Sequence, residues 1–413
     1  MFDIDKWKEI WATITRNRTR SILTAFGVSW GLFMFILLTG FGNGFRKGVM
    51  NNFSGISPNA CFFWTNNTGE PFKGYRKGRR WEMNSKDLTL IRNRAKSVEY
   101  ISPMLFANGN AVRNNITGSY TLLGVFPDQF RIQGMYILYG RLINDIDMEQ
   151  SRKVCFIGKE VYETLFSIGE DPVGESIRVG GVYYRVIGVG EPVSPDVSIG
   201  SNPTQTVYIP FSTMKHTGRW GDMVDLLSVT TKASYDAEFT EREVKEIIKN
   251  NHDIAPTDDK AISGFNLEKE FKMVENLFTG ISVLIWIVGM GALFSGVIGV
   301  SNIMLVTIRE RMREIGIRRA IGAKPFAIIS QILSESFVLT SIAGMTGFLA
   351  GVGALTLMQQ LITIGQGMVI IPFISFHLAL VAVGILVFSG LVAGLMPALK
   401  ALRIKAIDAI RDE

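Results

Sequence analysis

The sequence predicts an α-helical membrane protein with four transmembrane helices and a large α+β extracytoplasmic domain inserted between spans one and two. Long uncharged stretches lead to this fold class. No charged residue occurs in Ser21–Phe45 or Asn276–Ile308, and in Ser336–Leu399 the only ionisable side chain is His377. Because a helix needs about 20 apolar residues to cross a bilayer, the first two stretches hold one span each and the third holds two.

The third stretch must turn back near its middle, where Gly365, Gly367 and Pro372 predict a turn. The first stretch is interpreted as a retained anchor, because it has the length of a span and no A-x-A-like cleavage site follows it. The four spans are predicted over Ile22–Phe41, Ile281–Val306, Phe337–Leu357 and Leu378–Ala398.

The distribution of charge predicts the orientation of the spans. The segment Arg46–Glu275 holds equal numbers of basic and acidic residues, so the rest of the chain carries the whole formal charge of +6. Short cytoplasmic segments are enriched in Lys and Arg, which places both termini and the loop after span two in the cytoplasm. We therefore predict a multi-pass protein of the cell inner (plasma) membrane, whose positive charge reflects contact with the lipid bilayer and not with nucleic acid.

These patterns divide the chain into seven predicted segments. They are a cytoplasmic interfacial amphipathic helix (1–19), span one with the start of a stalk (20–45), the extracytoplasmic domain (46–275), span two (276–308), a cytoplasmic helix (309–325), spans three and four (326–399) and a cytoplasmic C-terminal tail (400–413). The N-terminal helix is predicted because its tryptophans and isoleucines recur at helical spacing.

The extracytoplasmic segment is predicted to be a mixed α+β domain. Gly180-Gly181 predicts a hairpin, and Asp236 or Ser234 is predicted to cap the last helix. Strands are predicted at Ser119–Phe126, Lys153–Ile157, Ser176–Val179, Val182–Val189, Thr206–Ile209 and Leu226–Thr231, and helices at Lys86–Ala95, Glu160–Phe166 and Glu238–Asn250.

Two charged helical stretches are predicted to extend the first two spans as stalks. Leu267–Phe278 runs into span two without a helix breaker, and Gly40–Phe53 follows span one. Such stalks would couple motion in the membrane to the outer domain. The spans are also rich in small residues, whose spacing permits close helix packing either within one subunit or between two subunits of a dimer.

The segment 309–325 between spans two and three is the strongest functional signal. It reads RERMREIGIRRAIGAKP and carries six Lys or Arg residues against Glu310 and Glu314. Its apolar and small residues predict a short amphipathic helix closed by a glycine turn. A helix in this position lies where a cytoplasmic partner could act on both neighbouring spans.

Several catalytic and metal-binding motifs are missing from the sequence. No G-x-x-x-x-G-K-[ST], G-x-S-x-G or H-E-x-x-H occurs, and the three histidines are isolated. We therefore expect no catalytic residue, metal ion or cofactor in this chain. Cys61 and Cys155 are interpreted as unpaired thiols, although an outer compartment permits a disulfide.

A basic cluster in the outer segment has two interpretations. It is either a site for an anionic lipid headgroup or an acidic partner face, or a solvated hairpin loop near acidic neighbours, and the second is favoured. The cluster consists of Lys73, Arg76, Lys77, Arg79 and Arg80, with Tyr75 and Trp81 beside them.

Several motifs together resemble the MacB/FtsX-like permeases of ABC transporters. The central one is REIGIRRAIGA at 313–323, and TRSILTAFGVSWG at 19–31 fits the family's opening pattern. GVFPDQF at 124–130 and DPVGESIRVGG at 171–181 are similar to the MacB-type periplasmic core domain. The end of the chain resembles the family's closing stretch, except that Ala406 stands where the family often has proline.

The resemblance implies the permease subunit of an ATP-driven exporter that works by mechanotransmission. It also implies a homodimer or a dimer with a related permease, separate ABC ATPase subunits that bind ATP and Mg, and for MacB-like members a periplasmic adaptor and an outer-membrane channel. A lipoprotein-releasing permease and an FtsX-like signalling permease, which regulates an extracytoplasmic partner, are alternatives with the same architecture. The implied ATPase contact consists of Arg309, Arg313, Glu314, Gly316, Arg318, Arg319, Ala320, Gly322 and Ala323.

Overall fold

The computed structural model describes residues 18–52, 55–167, 169–194, 198–218, 220–364 and 376–402. The chain forms two compact units, one made of residues 1–48 and 276–413 and the other of residues 49–275. They are called the helical unit and the outer unit below. The predicted N-terminal helix, the turn between spans three and four and the C-terminal tail lie wholly or mostly outside the described residues, so those predictions stay predictions.

The helices, in chain order, are α1 (Arg18–Asn52), α2 (Ser85–Arg94), α3 (Gln129–Ile132), α4 (Asp145–Glu149), α5 (Lys159–Leu165), α6 (Phe211–Thr217), α7 (Ala237–Asn251), α8 (Leu267–Glu310), α9 (Met312–Ala320), α10 (Pro325–Ile364) and α11 (Phe376–Leu402). The strands are β1 (Ala60–Thr65), β2 (Met83–Asn84), β3 (Val98–Arg113), β4 (Ile116–Val125), β5 (Met135–Gly140), β6 (Val154–Gly158), β7 (Ser176–Val179), β8 (Val182–Pro192), β9 (Thr206–Pro210), β10 (Met223–Val224), β11 (Leu226–Thr231) and β12 (Ile262–Asn266).

Four helices of the described chain, α1, α8, α10 and α11, are long and apolar enough to cross a membrane. Helix α8 runs unbroken for 44 residues, which confirms that the predicted stalk Leu267–Phe278 and span two form one helix. At a rise of ~1.5 Å per residue, it is about 66 Å long and exceeds the ~30 Å hydrocarbon core of a bilayer. Helix α1 likewise continues through the predicted first stalk as far as Asn52.

Small residues allow the long helices to approach closely within the helical unit. A Cβ atom added to Gly296 of α8 would lie 3.0 Å from backbone atoms of Val28 in α1. A Cβ atom at Gly347 of α10 would collide with the carbonyl oxygen of Ser29. Packing within one subunit therefore explains these glycines, whereas Gly299 has no heavy atom within 4 Å of the corresponding position among the described residues.

The outer unit is built on a large mixed sheet with the strand order β12-β1-β11-β3-β4-β9-β6-β8-β5, and β7 pairs with both β3 and β8. The pairs β4–β9 and β6–β8 are parallel, and the other pairs along this path are antiparallel. Helices α2, α5, α6 and α7 bury apolar residues in the main core of this unit, including Leu88, Val161, Met214 and Val244. Its α+β class matches the prediction.

Local sequence patterns predicted half of the strands and half of the helices that the structure shows in the outer unit. Gly180 and Gly181 both have positive φ and join β7 to β8 as the predicted hairpin. The Asp236 side chain accepts a hydrogen bond from the Glu238 amide and caps α7, as predicted. The prediction lacked strands β1, β2, β3, β5, β10 and β12 and helices α3, α4 and α6.

Candidate functional site

The segment between α8 and α10 folds as the predicted short helix. Helix α8 ends at Glu310, and Arg311 leaves the helical conformation with φ −103° and ψ 16° before α9 begins. At the other end of α9, the Ala323 amide donates to the Arg318 carbonyl at 3.0 Å and the Gly322 amide to the Arg319 carbonyl at 3.1 Å. This pair of bonds defines a Schellman cap, which requires the positive φ of +100° found at Gly322.

One face of α9 is anchored in the apolar core of the helical unit. Ile315 is buried and belongs to the same cluster as Met304 and Ile308 of α8 and Ile328 and Ile332 of α10. The adjacent Gly316 is also buried. The helix is therefore packed against both of its neighbours and does not hang as a free loop.

A buried ion pair joins the start of α9 to α10. The Arg311 Nη1 atom donates to Glu335 Oε1 at 3.0 Å, and Glu335 is only 4% exposed. The Arg311 guanidinium also donates from Nε to Glu314 Oε2 at 3.1 Å. Burial lowers the pKa of Arg311, but the carboxylates of Glu314 and Glu335 outweigh that effect and raise it, so the guanidinium stays charged.

Glu335 shows where α10 differs from predicted span three. The prediction began at Phe337 and therefore contained no charged residue, whereas α10 begins at Pro325 and includes Glu335. An ionised carboxylate in an apolar helix is costly unless it is paired. Arg311, which sequence reasoning did not place among the site residues, supplies the pairing from 24 positions away.

A second ion pair lies along α9 itself. Arg318 Nη2 is 2.8 Å from Glu314 Oε1, and Arg318 Nη1 donates to Gln331 Oε1 of α10 at 3.0 Å. Glu314 and Arg318 were both predicted as direct partner contacts, and that role stays a prediction. In the structure their ion pair also helps to hold α9 in place, while both side chains remain half-exposed.

The opposite face of α9 and its turn are exposed and amphipathic. Ile317 of α9 is 43% exposed and Ile321, which follows the helix, is 83% exposed. Phe326, at the start of α10, is 77% exposed. Among the predicted site residues, Arg309, Arg313, Ala320 and Gly322 are exposed, whereas Arg319 and Ala323 are half-buried. The predicted contact set did not include Ile317, Ile321 or Phe326, although the two isoleucines belong to the apolar pattern that predicted the helix and recur at i, i+4.

The predicted basic cluster of the outer unit is largely engaged by its own domain. Lys73 Nζ lies 2.7 Å from Asp253 Oδ1, and the Arg79 guanidinium stacks 4.0 Å from the centroid of the Tyr75 ring. Arg79 also donates to the Asp253 carbonyl at 3.3 Å. Arg80 lies 3.8 Å from Glu82, and Arg76 and Lys77 are exposed.

The two cysteines lie on different strands of the outer unit as buried free thiols, Cys61 on β1 and Cys155 on β6. Burial raises the pKa of Cys61 to about 12 and also raises that of Cys155. Within the described part of the chain, no group of three or more His, Cys, Asp or Glu side chains could hold a metal ion.

Two protein-family models match the chain. The model of the MacB-like periplasmic core domain matches residues 21–247, and the model of the FtsX-like permease C-terminal domain matches residues 286–406. The chain belongs to the MacB/FtsX-like permease family. The second match includes α9 and both members of the buried ion pair, Arg311 and Glu335.

Curated relatives are similar over nearly the whole chain. It is 27% identical over 398 residues to the macrolide export ATP-binding/permease protein MacB 2 of Aeromonas hydrophila, which covers 96% of this chain and 59% of that protein. It is 26% identical over 408 residues to the macrolide export ATP-binding/permease protein MacB of Bdellovibrio bacteriovorus, with 97% and 60% covered. The chain thus spans about 60% of the length of these relatives.

Two solved structures resemble parts of the chain. The periplasmic region of MacB from Actinobacillus actinomycetemcomitans has a TM-score of 0.44 and 21% identity, covering 55% of this chain and 98% of that one. The extracellular domain of the noncanonic ABC-type transporter YknZ from Gram-positive bacteria has a TM-score of 0.41 and 20% identity, covering 50% and 100%.

Proposed function

We propose that this permease is the non-catalytic transmembrane subunit of an ATP-driven exporter of the MacB type. In this proposal a separate ABC ATPase subunit binds ATP and Mg, and mechanotransmission couples hydrolysis to motion of the outer unit. The family assignment supports this function. The absence of a G-x-x-x-x-G-K-[ST] motif from the sequence is the reason for expecting ATP hydrolysis on a partner.

The observation that carries the proposal is the two-sided construction of α9. Its inner face is fixed to α8 and α10 by Ile315 and by the Arg311–Glu335 pair. Its outer face presents Arg313 and Ile317, and the exposed Ile321 of its turn and Phe326 at the start of α10 extend this surface. A partner with an apolar pocket and an acidic rim would complement this face, because exposed apolar side chains surrounded by charges are typical of protein–protein contacts.

The long helix α8 is the proposed carrier of the motion. It enters α9 through the single non-helical residue Arg311 and extends unbroken back to Leu267. A continuous helix resists bending because its backbone hydrogen bonds are satisfied internally. Displacement of α9 by an ATPase would therefore be passed along α8 without being absorbed in a flexible joint.

The remaining partners follow from the same proposal. We infer a permease dimer, either a homodimer or a dimer with a related chain, in the cell inner membrane with both termini cytoplasmic. The positive-inside pattern supports that orientation. The relatives' names describe macrolide export, and we extend only the exporter class to this chain. A periplasmic adaptor and an outer-membrane channel complete the proposed path.

Co-purification tests the ATPase contact. The double variant Ile317→Asp/Ile321→Asp places two charges on the exposed face without touching the inner ion pairs, so the fold should be retained. We expect the variant to lose its ATPase subunit in detergent while inserting normally into the membrane. Exchanging Glu314 and Arg318 would be less informative, because a reversed ion pair could still form between them.

The matched control is Ile116→Asp, which alters an exposed isoleucine of the outer unit. This control should retain the ATPase at the level of the unmodified chain. Equal ATPase recovery with all three proteins would contradict the proposed role of α9.

An FtsX-like signalling permease is the second candidate, since residues 286–406 match that family's C-terminal domain. The two functions differ in what the outer unit contacts. Recovery of a wall hydrolase with the intact complex, together with absence of transport in reconstituted vesicles, would favour signalling. Recovery of an adaptor and an outer-membrane channel would favour export.

A further inference from the structure

A cleft on the outer unit, between α2, α4 and α6, has no role in the coupling proposal. Its volume of about 430 Å³ falls within the range of roughly 300–1,000 Å³ that is usual for small-molecule sites. Such sites combine apolar and aromatic walls with a few polar groups that orient the ligand. The lining of this cleft has that composition.

Apolar and aromatic side chains form the floor of the cleft. The rings of Phe126 and Phe211 pack edge to face with centroids 5.6 Å apart. Leu88 and Met148 complete this surface. Leu88 and Phe211 are buried, whereas Phe126 and Met148 are only partly buried, so an apolar ligand placed here would remove additional apolar area from water.

Two cations lie over the two floor rings. The Arg92 guanidinium is 5.9 Å from the centroid of Phe126, and Lys215 Nζ is 5.9 Å from the centroid of Phe211. Lys215 is held in position by a 2.9 Å hydrogen bond to Ser85 Oγ and by an ion pair with Asp222. The positive charge is therefore positioned directly beside the apolar floor.

The charge of Arg92 is available to a ligand. Arg92 is exposed, and within the part of the chain that the structure describes no carboxylate lies within the 4.0 Å limit of an ion pair with it. Burial raises the pKa of the Asp128 carboxyl, although the positive charges of Arg131 and Arg92 oppose this effect. The ion pair with Asp222 reduces the positive charge of Lys215 but not that of Arg92. His216 also lines the cleft.

We propose that this cleft binds a compact apolar anion, such as an aromatic carboxylate. The apolar body would cover Phe126 and Phe211, and the carboxylate would lie between Arg92 and Lys215. A second cleft of about 310 Å³ in the same unit serves as an internal comparison, since residues such as Leu122, Tyr184 and Trp220 line it and, among the residues that the structure describes, no charged side chain does. An apolar probe without charge selectivity would enter both clefts equally.

Photolabelling of the full chain in lipid nanodiscs tests the site. The probe is 4-benzoylbenzoate, compared with its neutral amide and with 4-benzoylbenzylammonium. We expect the carboxylate to label peptides containing Met148 or Phe211, and the two other probes to label them weakly. Arg92→Gln should raise the half-saturating probe concentration about twofold to fivefold, as for loss of one exposed charge contact.

Arg94→Gln is the matched control, because Arg94 is exposed in the last turn of the same helix but does not line the cleft. It should leave the labelling unchanged. Equal labelling by all three probes, labelling confined to the second cleft, or an unchanged half-saturating concentration in Arg92→Gln would each overturn the proposal.

Discussion

The Arg311–Glu335 pair provides the sharpest test of how α9 is held. Replacing Arg311 with Met leaves the Glu335 carboxylate buried and removes its hydrogen bond from the guanidinium. Removing one member of a buried pair costs roughly 3–5 kcal/mol, because the remaining charge loses that compensation. Glu335→Gln should cost less, about 1–3 kcal/mol, since the amide oxygen can still accept a hydrogen bond and Arg311 keeps its contact with Glu314.

Replacing both members by methionine is expected to recover most of the loss. An apolar pair of similar volume avoids the desolvation of two charges, so such replacements are often neutral or stabilising. The costs of the single variants Arg311→Met and Glu335→Met should therefore fail to add in the double variant Arg311→Met/Glu335→Met. A double-mutant cycle over these proteins isolates the coupling between the two side chains, because the contact from Arg311 to Glu314 is lost in both proteins that carry Arg311→Met and cancels.

Hydrogen exchange measures the predicted loss where it occurs. Amide exchange in 312–320 should rise in Arg311→Met, rise less in Glu335→Gln and return toward the original rate in the double methionine variant. Peptides of the outer unit should keep their exchange rates in all variants. Unchanged exchange in Arg311→Met, or strictly additive effects in the double variant, would refute the reasoning.

Three further predictions follow from the same structure. Placing Gly-Pro at Lys272-Met273 should break α8, because proline removes a backbone donor and clashes with the preceding turn. ATPase binding should persist, but any ATP-dependent change in the distance between the outer units of a dimer, measured by spin labels, should be lost. An unchanged distance response would exclude α8 as the carrier of the motion. Gly322→Ala should destabilise the α9 cap by about 1–2 kcal/mol, seen as faster amide exchange, because its φ of +100° is unfavourable for an L-residue. Cysteines placed at the exposed residues Lys77 and Lys324 should react with an impermeant maleimide at the first position only, and reaction at the second from outside would reverse the proposed topology.

The native cysteines should not disturb that labelling experiment. Burial raises the pKa of Cys61 to about 12, so near pH 8 its thiolate fraction is on the order of 10⁻⁴. The reactive form becomes more abundant as the pH rises and appears fully only when unfolding exposes the thiol to water. Rapid modification of the unmodified chain at pH 8 would contradict this expectation.

Local patterns predicted those strands whose side chains and turns carry strong signals. Strand β7 and its hairpin partner β8 were found because Gly180-Gly181 separates two short runs of strand-forming residues. Strand β3 was missed because Pro103 and Gly109 interrupt its pattern. Its strand structure depends on pairing with β11 and β4, which lie elsewhere in the sequence.

The segment 309–325 shows the same difference between structure set by neighbouring residues and structure set by distant ones. Composition and the glycine turn predicted α9 and its cap, because both depend on neighbouring residues. The partner of Arg311 could not be found in this way, since Glu335 becomes adjacent only when α10 folds back beside α8. The different positions of the two arginines Arg311 and Arg313 also depend on packing, which partly buries the first and exposes the second.

The length of α9 explains why a buried ion pair matters at this position. A helix of 9 residues is too short to be stable alone in water, so its orientation depends on its contacts with α8 and α10. Ile315 supplies non-directional apolar attachment, which would permit small rotations about the helix axis. The hydrogen bonds from Arg311 to Glu314 and Glu335 have defined directions and fix that rotation. We therefore expect variants of the ion pair to weaken transmission of force even where they leave the affinity for the ATPase intact. Variants of Ile321 should lower the affinity for the ATPase and leave the transmission of force in the bound complex intact.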